Sequence, residues 1–317
     1  MHQLRLLLAL FLLTFVIAGC KGEENPDQLE TATSGTFEFV ADEELRPVID
    51  SLIQGFMLEN PKTKVTVRYA SAGEAMQALL NEQTRLAVVS RFLTPLEQEL
   101  LTTNQLTLPE YEVAQSAVAV IASADNPINS LSLKDLRALI RNDAKNWIDL
   151  KNSEFLGGRP AGFITKVLPP FYSGTEHLLD SLFLEPKAYQ QGSIRRFTTS
   201  DSIVNYVAAN PHTLGFISAA WLDQLQKSGD SGVKAIALMP DDSAFKPGDE
   251  PVMLHLAYIH QGLYPLTNRV NAYSFDSPNT LPRGLVAYMT TAHGQIVFKN
   301  HGVLPRTQII RIVPNRQ

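Results

Sequence analysis

The order of the short apolar runs limits this chain to few folds. Thr36-Phe37-Glu38-Phe39-Val40 alternates and is aromatic-rich, which predicts a strand, and Val48, Ile49, Leu52, Ile53, Phe56 and Met57 then recur at helical spacing. Val65 to Tyr69 reads as a second strand, followed by a helix carrying Ala75, Met76, Leu79 and Leu80, and Leu86-Ala87-Val88-Val89 as a third strand. Thr94-Pro95-Leu96-Glu97 opens the next helix, with Thr94 as N-cap, proline at the first helical position and Glu97 completing a capping box. Strands alternating with helices imply an α/β architecture built on parallel strands.

Val113 to Ser123 is a continuous apolar strand, longer than its neighbours, and is suited to carry the chain from one lobe to another. Ser132 to Leu136 opens a helix, and Phe163 to Leu168 is strand-like. Ser173-Gly174-Thr175-Glu176 opens a further helix with Leu178, Leu179, Leu182 and Phe183 on its inner face. Thr199 to Asn210 predicts a helix closed by Asn210-Pro211, and Leu214 to Ile217 a short buried strand. Pro240 to Pro251 is a polar loop, and one long last helix is expected from about Pro282 to His301.

The first 19 residues are read as a targeting segment rather than part of the fold. Arg5 precedes an apolar stretch from Leu6 to Ala18, short for a bilayer-spanning helix, which needs ~20 apolar residues. Val16-Ile17-Ala18-Gly19-Cys20 resembles a bacterial lipobox, in which the cysteine sulfur takes a diacylglycerol and becomes the first mature residue. Cys20 is the sole cysteine, which excludes an intrachain disulfide, a cysteine zinc cluster and thiol catalysis within the body. Residues 20–35 are nearly devoid of apolar side chains and are expected to form a flexible tether. These features place the protein in the cell envelope, lipid-anchored on the periplasmic side or at the cell surface.

From Cys20 onward 298 residues remain, enough for two domains at ~150 each. Without Arg5 they carry 26 basic against 32 acidic side chains, a formal charge of −6, which argues against nucleic acid as a partner. The seven histidines form no metal spacing, His255 and His260 being five apart. No P-loop, dinucleotide fingerprint or Gly-x-Ser-x-Gly elbow occurs, and no carboxylate pair stands out as acid and base, so neither a cofactor nor enzymatic activity is expected.

The ordered segments resemble the PstS family of phosphate-transport substrate-binding proteins. The matching stretches are Leu86 to Arg91 with Thr94 to Glu97, Val113 to Pro127 with Leu131 to Leu136, Trp147, Ser173-Gly174-Thr175, Thr199 to Ile203, Leu214 to Ile217, Tyr264 to Thr267 and Gly302 to Pro305. The resemblance covers about residues 36 to 306 and rests on order and spacing, since no single motif is specific. It implies a type II periplasmic-binding-protein fold: two α/β lobes joined by two crossover segments, residues 36–113 plus 260–317 forming lobe 1 and residues 114–259 lobe 2. It implies as partners a small oxyanion, phosphate first, and an ABC permease or other envelope transport complex.

Family members hold the ligand on helix N-termini and hydroxyls, where free N–H groups and the helix dipole suit an oxyanion. The corresponding positions here are Ala41 and Asp42 after the first strand, Ser71 after the second, Ser90 and Arg91 after the third, and Ser173, Gly174 and Thr175 in the middle lobe. Each has a plainer reading: Ser173 as a helix cap, Ser71 as a turn residue, and Arg91 as a surface ion pair worth under ~1 kcal/mol. The first loop departs from the family by placing Asp42, Glu43 and Glu44 at a helix start, where each carboxylate at ~7 Å would repel a phosphate by ~2 kcal/mol at an effective dielectric of ~20. The family aspartate before Ser90 and the arginine before the Ser-Gly-Thr turn also lack counterparts, Pro169-Pro170 standing in place of the latter. If an oxyanion sits between the lobes, Asp42 and Glu43 are expected at the rim or turned away. An anchored interaction protein that keeps the fold but has lost the ligand is the alternative.

Overall fold

A computed structural model describes residues 30–184, 194–229, 232–239 and 250–307. The targeting segment, Cys20, most of the expected tether and the polar loop between Pro240 and Asp249 lie outside the described residues. The strands are β1 (Gly35–Asp42), β2 (Thr63–Ala70), β3 (Ala87–Val89), β4 (Glu110–Ser123), β5 (Ile128–Ser132), β6 (Glu154–Phe155), β7 (Thr165–Leu168), β8 (Ile194–Arg196), β9 (Thr213–Ser218), β10 (Val233–Ala235), β11 (Ala237–Met239), β12 (Thr267–Tyr273) and β13 (Leu304–Pro305). The α-helices are α1 (Arg46–Glu59), α2 (Ala72–Leu80), α3 (Pro95–Thr103), α4 (Leu133–Ile140), α5 (Gly174–Phe183), α6 (Ser200–Ala209), α7 (Ala219–Ser228), α8 (Leu256–His260), α9 (Leu281–Thr290) and α10 (Ala292–Asn300).

The strands run in the order β2-β1-β3-β12-β4-β9-β7-β8, with β10 and β13 also on β4 and a separate small sheet β11-β5-β6. β1 lies parallel to β2 and β3, and β7 parallel to β8 and β9, so each end of the order is the parallel α/β unit that the alternation implies. β4 and β12 introduce the antiparallel pairs. The first part of β4, Glu110 to Ala117, pairs β12, while Val118 to Ala122 pairs β9. This strand is long because it serves two groups of strands in succession, and it begins three residues before the apolar run that reveals it.

Apolar burial divides the same way. Phe39, Leu45, Ile49, Leu52 and Phe56 pack with Val113, Leu285 and Met289 around the first strand group, and Ala72, Met76 and Leu79 fill its other face. Val120, Leu136, Trp147, Leu179 and Phe216 form the core around the second, with Ile203, Val207, Ile217 and Trp221 opposite. Helix α1 is amphipathic and buries Pro47, Val48, Ile49, Leu52, Ile53 and Phe56, the period anticipated from its sequence.

One expected element is two. The single helix expected from Pro282 to His301 breaks at Thr291, whose ψ of 164° is extended and whose hydroxyl caps α10 by accepting from the Gly294 N–H at 3.2 Å. A Cβ on Gly294 would lie 2.2 Å from the Tyr288 carbonyl, so glycine permits the sharp entry into α10. Residues 30–35, the end of the expected tether, lie against the body. Glu30 forms a bidentate pair with Arg85 at 2.6 Å and accepts the Leu281 N–H at 3.1 Å, while Thr31 and Ser34 bridge each other.

Candidate functional site

The site forms where the loops after β1, β2 and β3 meet the starts of α5, α6 and α7. Ser173 is extended, and its hydroxyl caps α5 by accepting the Glu176 N–H at 3.1 Å. The Glu176 carboxylate does not return to Ser173 as a capping box would. It accepts the Tyr172 N–H at 2.6 Å and pairs with Arg196. Tyr172 has a φ of 63°, a left-handed backbone unusual for a bulky residue, and its carbonyl accepts the Gly73 N–H at 2.9 Å. The first turn of α2 therefore touches the loop before α5 directly, and a Cβ on Gly73 would stand 2.5 Å from that of Tyr172. Gly174 is equally close to Ser90: an added Cβ would meet its Oγ at 1.9 Å and its carbonyl at 2.8 Å.

The three carboxylates of the first loop are not at the rim. Asp42, Glu43 and Glu44 are only 1%, 4% and 2% exposed, which corrects the expectation for Asp42 and Glu43. Two of them reach across to the opposite helix starts. Glu44 accepts the Thr175 N–H at 3.0 Å and also the Thr175 hydroxyl. Glu43 accepts the Ser200 N–H, at 3.2 and 3.3 Å to its two oxygens, and the Ser200 hydroxyl at 2.9 Å. Asp42 stays on its own side, accepting the Ser90 N–H at 3.3 Å, the Ser90 hydroxyl at 2.5 Å and the Glu44 N–H at 3.2 Å. The loop backbone is held as well: the Glu44 carbonyl accepts the Ser218 hydroxyl, and the Glu43 carbonyl the Trp221 indole N–H at 3.1 Å.

Electrostatically this is an arrangement of acids withdrawn from water. Burial pushes Glu44 up to about 8, reinforced by the nearby Asp42 charge and opposed by the Thr175 donors. Burial likewise raises Glu43 to about 7 against the Ser200 donors and the Arg46 guanidinium 3.8 Å away, and it raises Asp42 against its bonds to Ser90. Desolvation outweighs the hydrogen bonds at all three positions. The helix starts explain why the acids fold inward nonetheless. The free N–H groups of Thr175 and Ser200 need acceptors when buried, and a carboxylate at a helix N-terminus is favoured by its dipole.

The other residues singled out from the sequence sit as follows. Ala41 packs in the first core, with no polar atom of its side chain to offer. Ser71 caps α2 in a complete capping box, its hydroxyl exchanging bonds with Glu74 at 3.1 and 3.2 Å. Ser90 serves Asp42. Arg91 is 4% exposed and forms a two-pronged pair with Glu97 at 2.6 and 2.8 Å, so it is a buried pair rather than the surface pair considered above. Burial alone would raise Glu97, but this guanidinium and the Thr94 N–H hold it below its ordinary value. Ser200, Ser218 and Trp221 escaped notice as site residues. The signal for Ser200 was present in Thr199-Ser200 ahead of an apolar helix, which reads as a cap and nothing more.

Beside this cluster a cavity of about 400 Å³ opens between the loop after β3 and the outer face of α5, lined among others by Arg91, Phe92, His177, Asn268 and Arg269. Among the described residues no group of three His, Cys, Asp or Glu side chains could hold a metal ion, and no helix is long and apolar enough to cross a membrane.

Residues 26–293 match the family model of the PBP superfamily domain. The chain belongs to the PBP superfamily. It is 21% identical over 305 residues to the phosphate-binding protein PstS of Borreliella burgdorferi, an alignment spanning 94% of this chain and 97% of that one. Among solved structures, its fold is similar to a Clostridium perfringens substrate-binding protein assigned to phosphate ABC transport, with bound phosphate (TM-score 0.70, 16% identity, 86% of this chain and 99% of that one). It is also similar to an ABC-type phosphate transport receptor of Vibrio cholerae (TM-score 0.61, 19% identity, 84% and 99%). The resemblance to PstS proteins drawn from the sequence holds, and so does the α/β fold class of periplasmic binding proteins.

Proposed function

We propose that this protein is a lipid-anchored solute-binding protein of a phosphate-type uptake system, which captures an oxyanion between two lobes and delivers it to an ABC permease. Lobe 1 comprises residues 36–113 with the C-terminal segment, and lobe 2 the middle of the chain. The return to lobe 1 is proposed at about residue 260, and the packing of Ile259, Tyr264 and Leu266 with the second core favours a crossover a few residues later. The observation that carries the reading is the chemistry of the two helix starts. Thr175 and Ser200 each present a backbone N–H and a hydroxyl to one carboxylate, and a donor pair that holds a carboxylate oxygen suits a phosphate oxygen equally. The relatives and the bound phosphate in a protein of this fold favour the same class of ligand.

Calorimetry with phosphate and with sulfate tests it. Heat with phosphate is the expected result, weakened by Thr175→Ala to the extent that its hydroxyl holds the anion more strongly than it holds Glu44. No heat with either anion at millimolar concentration, on protein freed of carried-over ligand, would leave the second reading, an anchored interaction protein on this fold. What favours that alternative is that Glu43 and Glu44 already engage those donors and that Arg91 is committed to Glu97.

A further inference from the structure

We propose that Glu43 and Glu44 are a built-in pseudo-ligand: their carboxylates occupy the oxyanion seats at the starts of α6 and α5, hold the lobes together, and must be displaced before a solute anion can enter. This inference rests on the solute-binding reading and adds a regulatory element to that site.

The N–H and hydroxyl of Thr175 are both directed at Glu44, and those of Ser200 at Glu43. An anion competing for either seat therefore gains hydrogen bonds only as the carboxylate loses them. The acids belong to the loop after β1, whereas the seats belong to helices packed on the other strand group, so each bond joins one strand group to the other. Three more contacts close the same gap: Ser218 hydroxyl to Glu44 carbonyl, Trp221 indole to Glu43 carbonyl, and Gly73 N–H to Tyr172 carbonyl. The spacing of Gly174 against Ser90 leaves no room for a methyl group there, so the loops are in contact rather than merely near. Together these bonds do from within the chain what a bound anion does in a closing receptor, which is to bridge donors on two bodies.

The decisive comparison uses the mature chain in detergent micelles, wild type against Glu43→Ala/Glu44→Ala, with inorganic phosphate as probe. X-ray scattering should show a larger radius of gyration for the double variant without phosphate. Calorimetry should show at least a tenfold tighter phosphate affinity than in wild type, because no internal carboxylate competes. Glu44→Asp provides a second route should the alanine variant fail to fold. It keeps the carboxyl group but is one methylene too short to reach Thr175, and it should shift both readouts in the same direction. Equal radius and equal affinity across the variants would overturn the pseudo-ligand. An enlarged radius with no phosphate heat in any protein would keep it and remove phosphate as the ligand instead.

Discussion

Replacing Glu44 by glutamine isolates the charge from the hydrogen bonds. Glutamine keeps the shape and both contacts: its carbonyl accepts the Thr175 N–H, and its amide donates to the Thr175 hydroxyl once that group rotates. What it removes is a titration. A carboxyl raised from its ordinary 4.5 to about 8 leaves the folded state fully stable below ~4.5, where both states are protonated, weakens it progressively as pH rises from ~4.5 to about 8, and costs nothing further above that. At ~1.4 kcal/mol per pH step, the loss between pH ~6 and pH ~9 is roughly 3 kcal/mol. Glutamine escapes that loss, and removing one acid also relieves the repulsion felt by Asp42 and Glu43, an effect of the same sign. Arg46 on α1 and Arg91 after β3 are unchanged in the variant and cancel in the comparison. Urea denaturation of both proteins at pH ~6, ~7.5 and ~9 should therefore show an advantage for Glu44→Gln that grows by roughly 3 kcal/mol from the lowest pH to the highest, nearly all of it gained below pH ~8. A difference that stays flat within ~0.5 kcal/mol across that range would refute the claim that burial controls this acid.

Arg91→Ala strands the partly buried Glu97 and should cost ~3 kcal/mol of stability in denaturant titration, while changing phosphate affinity less than threefold, because the guanidinium is committed to Glu97. Gly174→Ala forces a methyl group against the Ser90 carbonyl, 2.8 Å from where the Cβ would stand, and should destabilise by ~1–3 kcal/mol and enlarge the radius of gyration in scattering. Cys20→Ser should shift the protein from the membrane to the soluble fraction, or block its processing, with loss of metabolic acyl labelling. Unchanged fractionation and labelling would remove the lipid anchor from the proposal.

How much of this was legible in the chain depended on whether the signal was local. The start of helix α3 could be placed to the residue because Thr94, Pro95 and Glu97 satisfy its first turn among themselves, and both ends of α6 because Thr199 and Asn210 bracket it. Helices α9 and α10 merged in the sequence because the apolar period runs through Thr291, and only a glycine three residues later records that the backbone turns there. The site was harder still, because its meaning lies in partners 131 and 157 residues apart. Read alone, Asp42, Glu43 and Glu44 are favourable helix-start residues and repulsive neighbours for an anion, which argues for turning them outward. The structure resolves that conflict differently: the Thr175 and Ser200 donors at the opposite helix starts receive the acids themselves. The mismatch visible in the sequence, three carboxylates in a loop where a ligand site was expected, marks residues that fold inward onto donors far along the chain. A carboxylate that would repel an anion from a neighbouring position can take that anion's seat once the opposing helix starts are within reach. Whether residue pairs are within reach is what one-dimensional spacing does not encode.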